Sequence, residues 1–370
     1  MKIYLIGQKG IPANGGGVER HVEELSERLA AAGHEVYVYT RPNYADPDLE
    51  ECRGVRLLSL PSINSKRLDA ISHTFRAIMD LRKREADIIH FHSIGPSSLI
   101  WLARLMKPGV PIMATFHSRC YFHKKWGLAA RAYLRFGEWA ACRLADKTIS
   151  VSASLKQYAD KKYGVETSLI PNGISEADMR EADEIRKWGL EKGNYILSVS
   201  RLVRHKGVHH LIEAYNSIET DKKLVIAGDG YFTNDYVAEL RSMAAGNPNI
   251  IFTGNQTGGV LAELFANAYL FVQPSESEGL SIALLEAMAY GRAVLASDIP
   301  ENREALENAG LFFQSGRTDD LREKLAETLK DDQLAASKEK EIRAKAAERL
   351  SWDDAVKKTL SLYEELKEKA

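Results

Sequence analysis

The sequence predicts an α/β fold of two Rossmann-like, doubly wound parallel-sheet domains, and three features predict it. Apolar runs of four to six residues alternate with segments of helical period along nearly the whole chain, the pattern of βα units in a parallel sheet. Several of those runs end in glycine-rich or cation-bearing loops that lead straight into a helix, which sets backbone N–H groups near the carboxyl ends of strands. The alternation pauses once, at Ile170-Pro171-Asn172-Gly173-Ile174 and the polar residues 175–193, and then resumes. The expected domains are 1–172 and 173–350, followed by a closing helix over 351–370. A chain of 370 residues, 45% hydrophobic and 27% charged, suffices for two cores of ordinary size.

In the first domain, Ile3-Tyr4-Leu5-Ile6 reads as a buried strand. The loop 7–17 follows, ending in Gly15-Gly16-Gly17, and an amphipathic helix is expected over 18–32. Three glycines remove every Cβ where the helix begins, so the backbone can approach a diphosphate. The spacing is not G-x-G-x-x-G, and no Gly-Lys-Ser/Thr closes the loop, so hydride-transfer and NTPase readings lose their best support. Strands are expected at 35–39, 55–60, 87–91, 111–115 and 147–151, with helices over 69–84, 96–106 and 128–145. His117 lies just past one strand end, where ligands of such sheets bind; His90 and His92 lie at another. On the 128–145 helix Arg131, Arg135, Trp139 and Arg143 fall four apart and form one stripe. With Arg119, Lys124, Lys125 and Trp126 nearby, that stripe fits an anionic lipid surface. Residues 1–172 carry 25 Lys and Arg against 17 Asp and Glu, net +8, whereas the remainder carries 25 against 34, net −9.

The second domain opens with a strand at 195–200 that delivers Arg201-Leu202-Val203-Arg204-His205-Lys206-Gly207 at its carboxyl end, and cations there suit a polyanion. Strands follow at 224–228 and 250–254, the latter leading into Asn255-Gln256-Thr257. Next, Tyr269-Leu270-Phe271-Val272 runs into Ser275-Glu276-Ser277-Glu278-Gly279-Leu280-Ser281 and then into helix-period residues from Ile282. Ser281 suits the N-cap and Gly291 the stop. Glu278 falls in the loop before an anion-attracting helix start, while Glu286 lies one to two turns inside the helix, so the two carboxylates cannot share a proton. A helical stretch over 319–349 precedes the last helix, with Ser351 as its N-cap and Trp352 as its anchor.

Glu278-Gly279-Leu280, Glu286-Ala287-Met288-Ala289-Tyr290-Gly291, Gly15-Gly16, Thr115-Phe116-His117 and Arg201-Leu202 with Lys206-Gly207 together resemble the signature of retaining glycosyltransferases of family 4 with the GT-B fold, over essentially the whole chain. Gly10-Ile11-Pro12-Ala13-Asn14-Gly15-Gly16 is similar to the subgroup that builds bacterial surface polysaccharides. The resemblance implies two domains facing a cleft and a last helix that crosses back to the first domain. It implies that the second domain binds the nucleotide sugar, UDP-linked before GDP-mannose, and that the first binds a glycan or lipid-linked acceptor. By that likeness Arg201 and Lys206 hold the diphosphate, His117 lies beside the transferred sugar, Glu278 holds sugar hydroxyls and Glu286 holds the ribose. Gly15, Gly16, Gly17, Gly279, Leu280 and Ser281 are expected near the donor, and Gly254 and Asn255 near the base. Transfer is expected to need no metal or other cofactor; Asp46-Pro47-Asp48 reads as a turn. A sugar-nucleotide epimerase or hydrolase on the same fold, and a non-catalytic sugar-nucleotide-binding protein, are the alternatives. No nucleic-acid partner is expected. Cys52, Cys120 and Cys142 show no metal-ligand spacing, the first residues are too short an apolar run for a signal peptide, and no window spans a bilayer. The expected location is cytoplasmic, peripheral on the inner face of the cell membrane.

Overall fold

The structure, a computed structural model, describes residues 1–119, 127–348 and 351–369. It divides into two compact units: residues 1–173 together with the C-terminal helix, and residues 174–349. Cys120, Lys124, Lys125 and Trp126 lie outside the described residues.

The first unit is built on one sheet of eight strands, β1 (Lys2–Ile6), β2 (Glu35–Thr40), β3 (Glu51–Cys52), β4 (Val55–Ser59), β5 (Ile88–His92), β6 (Ile112–Phe116), β7 (Lys147–Ser150) and β8 (Ser168–Leu169), in the order β3-β4-β2-β1-β5-β6-β7-β8. All pairs are parallel except β3 with β4. Ile3, Leu5, Ile6, Ile88, Ile89 and Ile112 are wholly buried, as continuous apolar runs in a two-sided parallel sheet must be. The crossovers are α1 (Gly17–Ala31), α2 (Asp69–Leu81), α3 (Ile94–Ser97), α4 (Ile100–Met106), α5 (Leu128–Arg143) and α6 (Ala153–Tyr163). The single helix expected over 96–106 is two. The hydroxyls of Ser97 and Ser98 turn back onto the carbonyls of Ser93 and Gly95, at 2.8 and 2.7 Å, and offer the backbone an alternative to continuing.

The second unit has six parallel strands, β9 (Tyr195–Val199), β10 (Lys223–Ala227), β11 (Ile250–Gly254), β12 (Leu270–Gln273), β13 (Ala293–Ser297) and β14 (Leu311–Phe313), ordered β11-β10-β9-β12-β13-β14. Its helices are α7 (Val208–Tyr215), α8 (Asn234–Ala244), α9 (Gly258–Asn267), α10 (Ile282–Ala289), α11 (Pro300–Leu306), α12 (Thr318–Lys330) and α13 (Asp332–Ala347). The helical stretch 319–349 is broken at Asp331, whose carboxylate accepts from the N–H groups of Gln333 and Leu334 and so caps a new helix.

The last helix, α14 (Trp352–Lys369), packs within the first unit against α1. Ser351 caps it through Oγ, which accepts from Asp354 N at 3.1 Å, and Trp352, Tyr363 and Leu366 are buried. Among the described residues no helix is long and apolar enough to cross a membrane.

Candidate functional site

Strand order reverses between β1 and β5 in the first sheet and between β9 and β12 in the second. Loops leaving two such neighbours diverge, which opens a crevice beyond their carboxyl ends. In the first unit the loop leaving β1 begins at Gly7, with φ +116, where a Cβ would fall 2.3 Å from the His92 carbonyl oxygen at the end of β5. Only glycine permits that approach. The loop ends with Gly15, whose carbonyl accepts from the Tyr44 hydroxyl at 2.7 Å, Gly16 as N-cap, and Gly17 as the first residue of α1. Glu19, in the first turn and buried, sets Oε2 against Gly16 and accepts from Lys9 N through Oε1 at 3.2 Å. A carboxylate thus stands beside the N–H groups expected to meet a diphosphate.

His117 follows β6 directly and is 8% exposed. Its Nε2 lies 3.2 Å from His92 Nδ1, and its ring meets that of His21 edge-on at 4.7 Å. His21, one turn into α1, donates through Nδ1 to Asn172 Oδ1, 2.8 Å away; the amide oxygen only accepts, so the proton sits on His21 Nδ1. His90 is placed otherwise, between the Tyr363 hydroxyl of α14 at 2.6 Å and Thr115 Oγ1 at 2.7 Å, and ties elements together. Burial is the largest cause lowering the pKa of all four: His21 to about 4, His90 to about 3, and His92 and His117 well below the ordinary value, with neighbouring imidazoles adding to the last three. All four are neutral at pH 7.

In the second unit the loop after β9 carries Arg201 and a 3-10 turn through Lys206, and the loop after β12 carries Glu278. The two loops touch. Gly207, at φ +69, lies where a Cβ would meet the Pro274 carbonyl oxygen at 1.9 Å, and Glu276 N donates to His205 O at 2.8 Å. That contact brings Lys206 Nζ to 2.5 Å from Glu278 Oε1, which also accepts from Gln273 Nε2 at 2.8 Å. Arg201 is exposed, and its guanidinium has no hydrogen bond or ion pair among the described residues. Gly279, Leu280 and Ser281 are buried, and Ser281 Oγ accepts from Leu284 N at 3.3 Å to start α10. Glu286 is half-buried on the same helix. Gly254, at φ +70, closes β11, and Asn255 beyond it is exposed.

His21, Asn172, Glu19 and Gln273 escape a reading of the sequence alone. A signal existed for three of them. Glu19 and His21 occupy the first turns after a glycine loop, and Gln273 is the polar end of an apolar run; Asn172 looks like loop punctuation. On α5, Arg135, Trp139 and Arg143 are exposed, whereas Arg131 is half-buried with its Nε covered and without a partner. Phe136 stacks on Trp139 at 5.6 Å, and both stand about 40% exposed, with Leu128 at 86%.

Residues 15–178 match the family model for Glycosyltransferase Family 4, and residues 180–349 match that for Glycosyl transferases group 1. The alpha-monoglucosyldiacylglycerol synthase of Streptococcus pneumoniae is 28% identical over 304 residues, 77% of this chain and 68% of that protein. Sucrose-phosphate synthase from Thermosynechococcus elongatus superposes with a TM-score of 0.83 at 23% identity, covering 100% of both chains. Anabaena HepE, solved in complex with UDP-glucose, superposes with a TM-score of 0.79 at 21% identity, covering 98% of this chain and 99% of that one.

Proposed function

We propose that this chain, which belongs to the glycosyltransferases through a family 4 domain and a group 1 domain, transfers a hexosyl unit with retention of configuration to a glycan or lipid-linked acceptor. A nucleotide sugar is its donor, with a UDP-sugar ahead of GDP-mannose, and no metal or other cofactor takes part. The observation that carries the reading is the Lys206–Glu278 contact at the second sheet's switch point, on loops one of which also carries Arg201. In this contact the two side chains neutralise each other. A diphosphate draws Lys206 and Arg201 to its oxygens, and Glu278 is released to accept from sugar hydroxyls, while Glu286 accepts from the ribose. As the bond from the anomeric carbon to the diphosphate oxygen breaks, charge grows on the leaving group, where the two cations stabilise it. The acceptor oxygen bonds to the anomeric carbon from the same face and gives its proton to a donor phosphate oxygen. The products are the glycosylated acceptor and the nucleoside diphosphate. Gly279, Leu280 and Ser281 offer the helix start, Gly254 and Asn255 border the base, and His117 with Gly15, Gly16 and Gly17 serves from the first unit.

A lipid-linked acceptor is supported by the exposed face of α5, where Arg135 and Arg143 flank Trp139 and Phe136, and by a relative whose name specifies a diacylglycerol product. The corresponding location is cytoplasmic, peripheral on the inner membrane face. Incubating the chain with UDP-, GDP- and ADP-hexoses and an anionic lipid extract, then reading sugar transfer and anomeric configuration by NMR, tests the reading. A retained glycosidic product with one donor class supports it. Nucleotide release that ignores the acceptor makes the protein a hydrolase, and binding of the donor without turnover makes it a binding protein.

A further inference from the structure

His21, His92 and His117 come from a helix and two different strand ends, yet one ring nitrogen of each lies within 4.8 Å of the other two. All three are buried, His92 wholly and His21 and His117 at 7% and 8% exposure. The group is short of protons. His21 has its hydrogen on Nδ1, held by Asn172 Oδ1, so its Nε2 presents a lone pair. His92 Nδ1 and His117 Nε2 face each other at 3.2 Å, nitrogen to nitrogen, where two neutral rings share a single hydrogen. His92 Nε2 is covered and has no hydrogen-bonding partner.

We propose that His21, His92 and His117 form a binding site for a borderline-soft divalent transition ion, with Zn(II) as its representative, and that the bound ion inhibits the enzyme. Imidazole-only donors suit Zn(II), Cu(II) and Ni(II) rather than Mg(II) or Ca(II), which take oxygen ligands. Zinc bonded to nitrogen at ~2.1 Å in tetrahedral geometry separates two ligand nitrogens by ~3.4 Å. His92 and His117 already stand at nearly that spacing, and the third nitrogen need approach by at most ~1.4 Å. Asn172 supplies the outer contact that fixes a ligating imidazole's tautomer and orientation. Three protein ligands leave a fourth position for water or a substrate hydroxyl. Inhibition rests on the proposed function, because it follows from withdrawing His117 from the sugar; binding of the ion does not depend on that reading.

The test uses the full chain stripped by a chelator, titrated with Zn(II) against a chromophoric competitor and with Co(II) followed by visible absorption. The expected result is one equivalent of Zn(II), a Co(II) spectrum of four-coordinate intensity, and affinity weakened at least tenfold in both His21→Gln and His92→Ala. Thermal melting confirms that each variant is folded, and His21→Gln, on a helix rather than in the sheet, serves if His92→Ala is not. A second cluster, His209, His210 and Glu276, provides the control: His209→Ala should leave the tight site intact. Zinc affinity unchanged by His21→Gln, or lost in His209→Ala, overturns the site. Zinc bound at the predicted residues together with transfer inhibited and restored by chelator supports both parts. Tight binding with undiminished transfer upholds the site and overturns the placement of His117 at the sugar.

Discussion

At the scale of single residues, the charged pair in the second unit makes the most demanding prediction. Lys206 is paired with Glu278 while Arg201 is exposed, so the two cations proposed for the diphosphate have different surroundings. Arg201→Ala and Lys206→Ala should each lower kcat by 10²–10³, roughly 3–4 kcal/mol of lost transition-state stabilisation, with melting temperatures of Arg201→Ala unchanged. Steady-state rates within a few-fold of the parent in both variants would remove the clamp from the mechanism. His73 carries a second prediction, about stability. It is wholly buried, its Nε2 donates to Thr40 O at 3.0 Å, and burial first, then Arg41, lowers its pKa to about 4. The unfolded chain therefore takes up a proton near pH 6.5 that the native state refuses until about pH 4, so stability is full above pH 6.5 and falls as pH drops through that window. The loss is on the order of 3 kcal/mol. His73→Gln keeps a donor for Thr40 and should flatten the acid limb of a urea-stability profile between pH 6.5 and 4; an unchanged limb would show that other groups set it.

At the scale of elements, two loops and one helix are decisive. The turn after β9 reaches the loop after β12 only because Gly207 has no Cβ to strike the Pro274 carbonyl. Gly207→Ala should therefore cost at least about 1–3 kcal/mol from backbone strain alone and should weaken nucleoside-diphosphate binding, because Lys206 loses its register with Glu278. Calorimetry with UDP beside a urea titration checks both; normal affinity in the folded variant would show that the two loops act independently. The α5 face predicts salt-sensitive docking to anionic vesicles. Each cation near such a surface contributes about 1 kcal/mol, and the Debye length shrinks from ~10 Å at 0.1 M salt to ~3 Å at 1 M. Arg131 is half-buried, so Arg135 and Arg143 should account for most of the charge dependence and Trp139 for the remainder. Co-sedimentation that ignores lipid charge, or survives Arg135→Gln with Arg143→Gln, would leave the face without a membrane role.

At the scale of the whole molecule, the C-terminal helix belongs to the first unit, and Tyr363 shows how. Its hydroxyl, fully buried, meets His90 Nδ1 at 2.6 Å, joining residues 273 positions apart. Tyr363→Phe leaves a buried imidazole nitrogen without its partner and should destabilise the chain by about 1–3 kcal/mol, read as a lower urea midpoint with an unchanged slope. A neutral effect would mean that α14 is held by apolar packing of Trp352 and Leu366 alone.

Short-range chemistry was readable directly from the chain. The alternation of apolar runs with helical periods fixes the parallel sheets, Ser281 and Ser351 cap the helices that their positions promise, and glycine marks the loops that leave β1 and β9, because each depends on neighbours a few residues away. The helix breaks at Ser98 and Asp331 are hidden in the sequence for the opposite reason: helical composition continues through both, and only a side chain turned onto the backbone ends the helix. Strand order and register decided what no local pattern contains. They bring His21 to Asn172 across 151 positions, His92 to His117 across 25, and Lys206 to Glu278 across 72. A switch point is a property of which strands lie side by side, so the sequence could nominate His117, Lys206 and Glu278, but their partners were set by the tertiary structure.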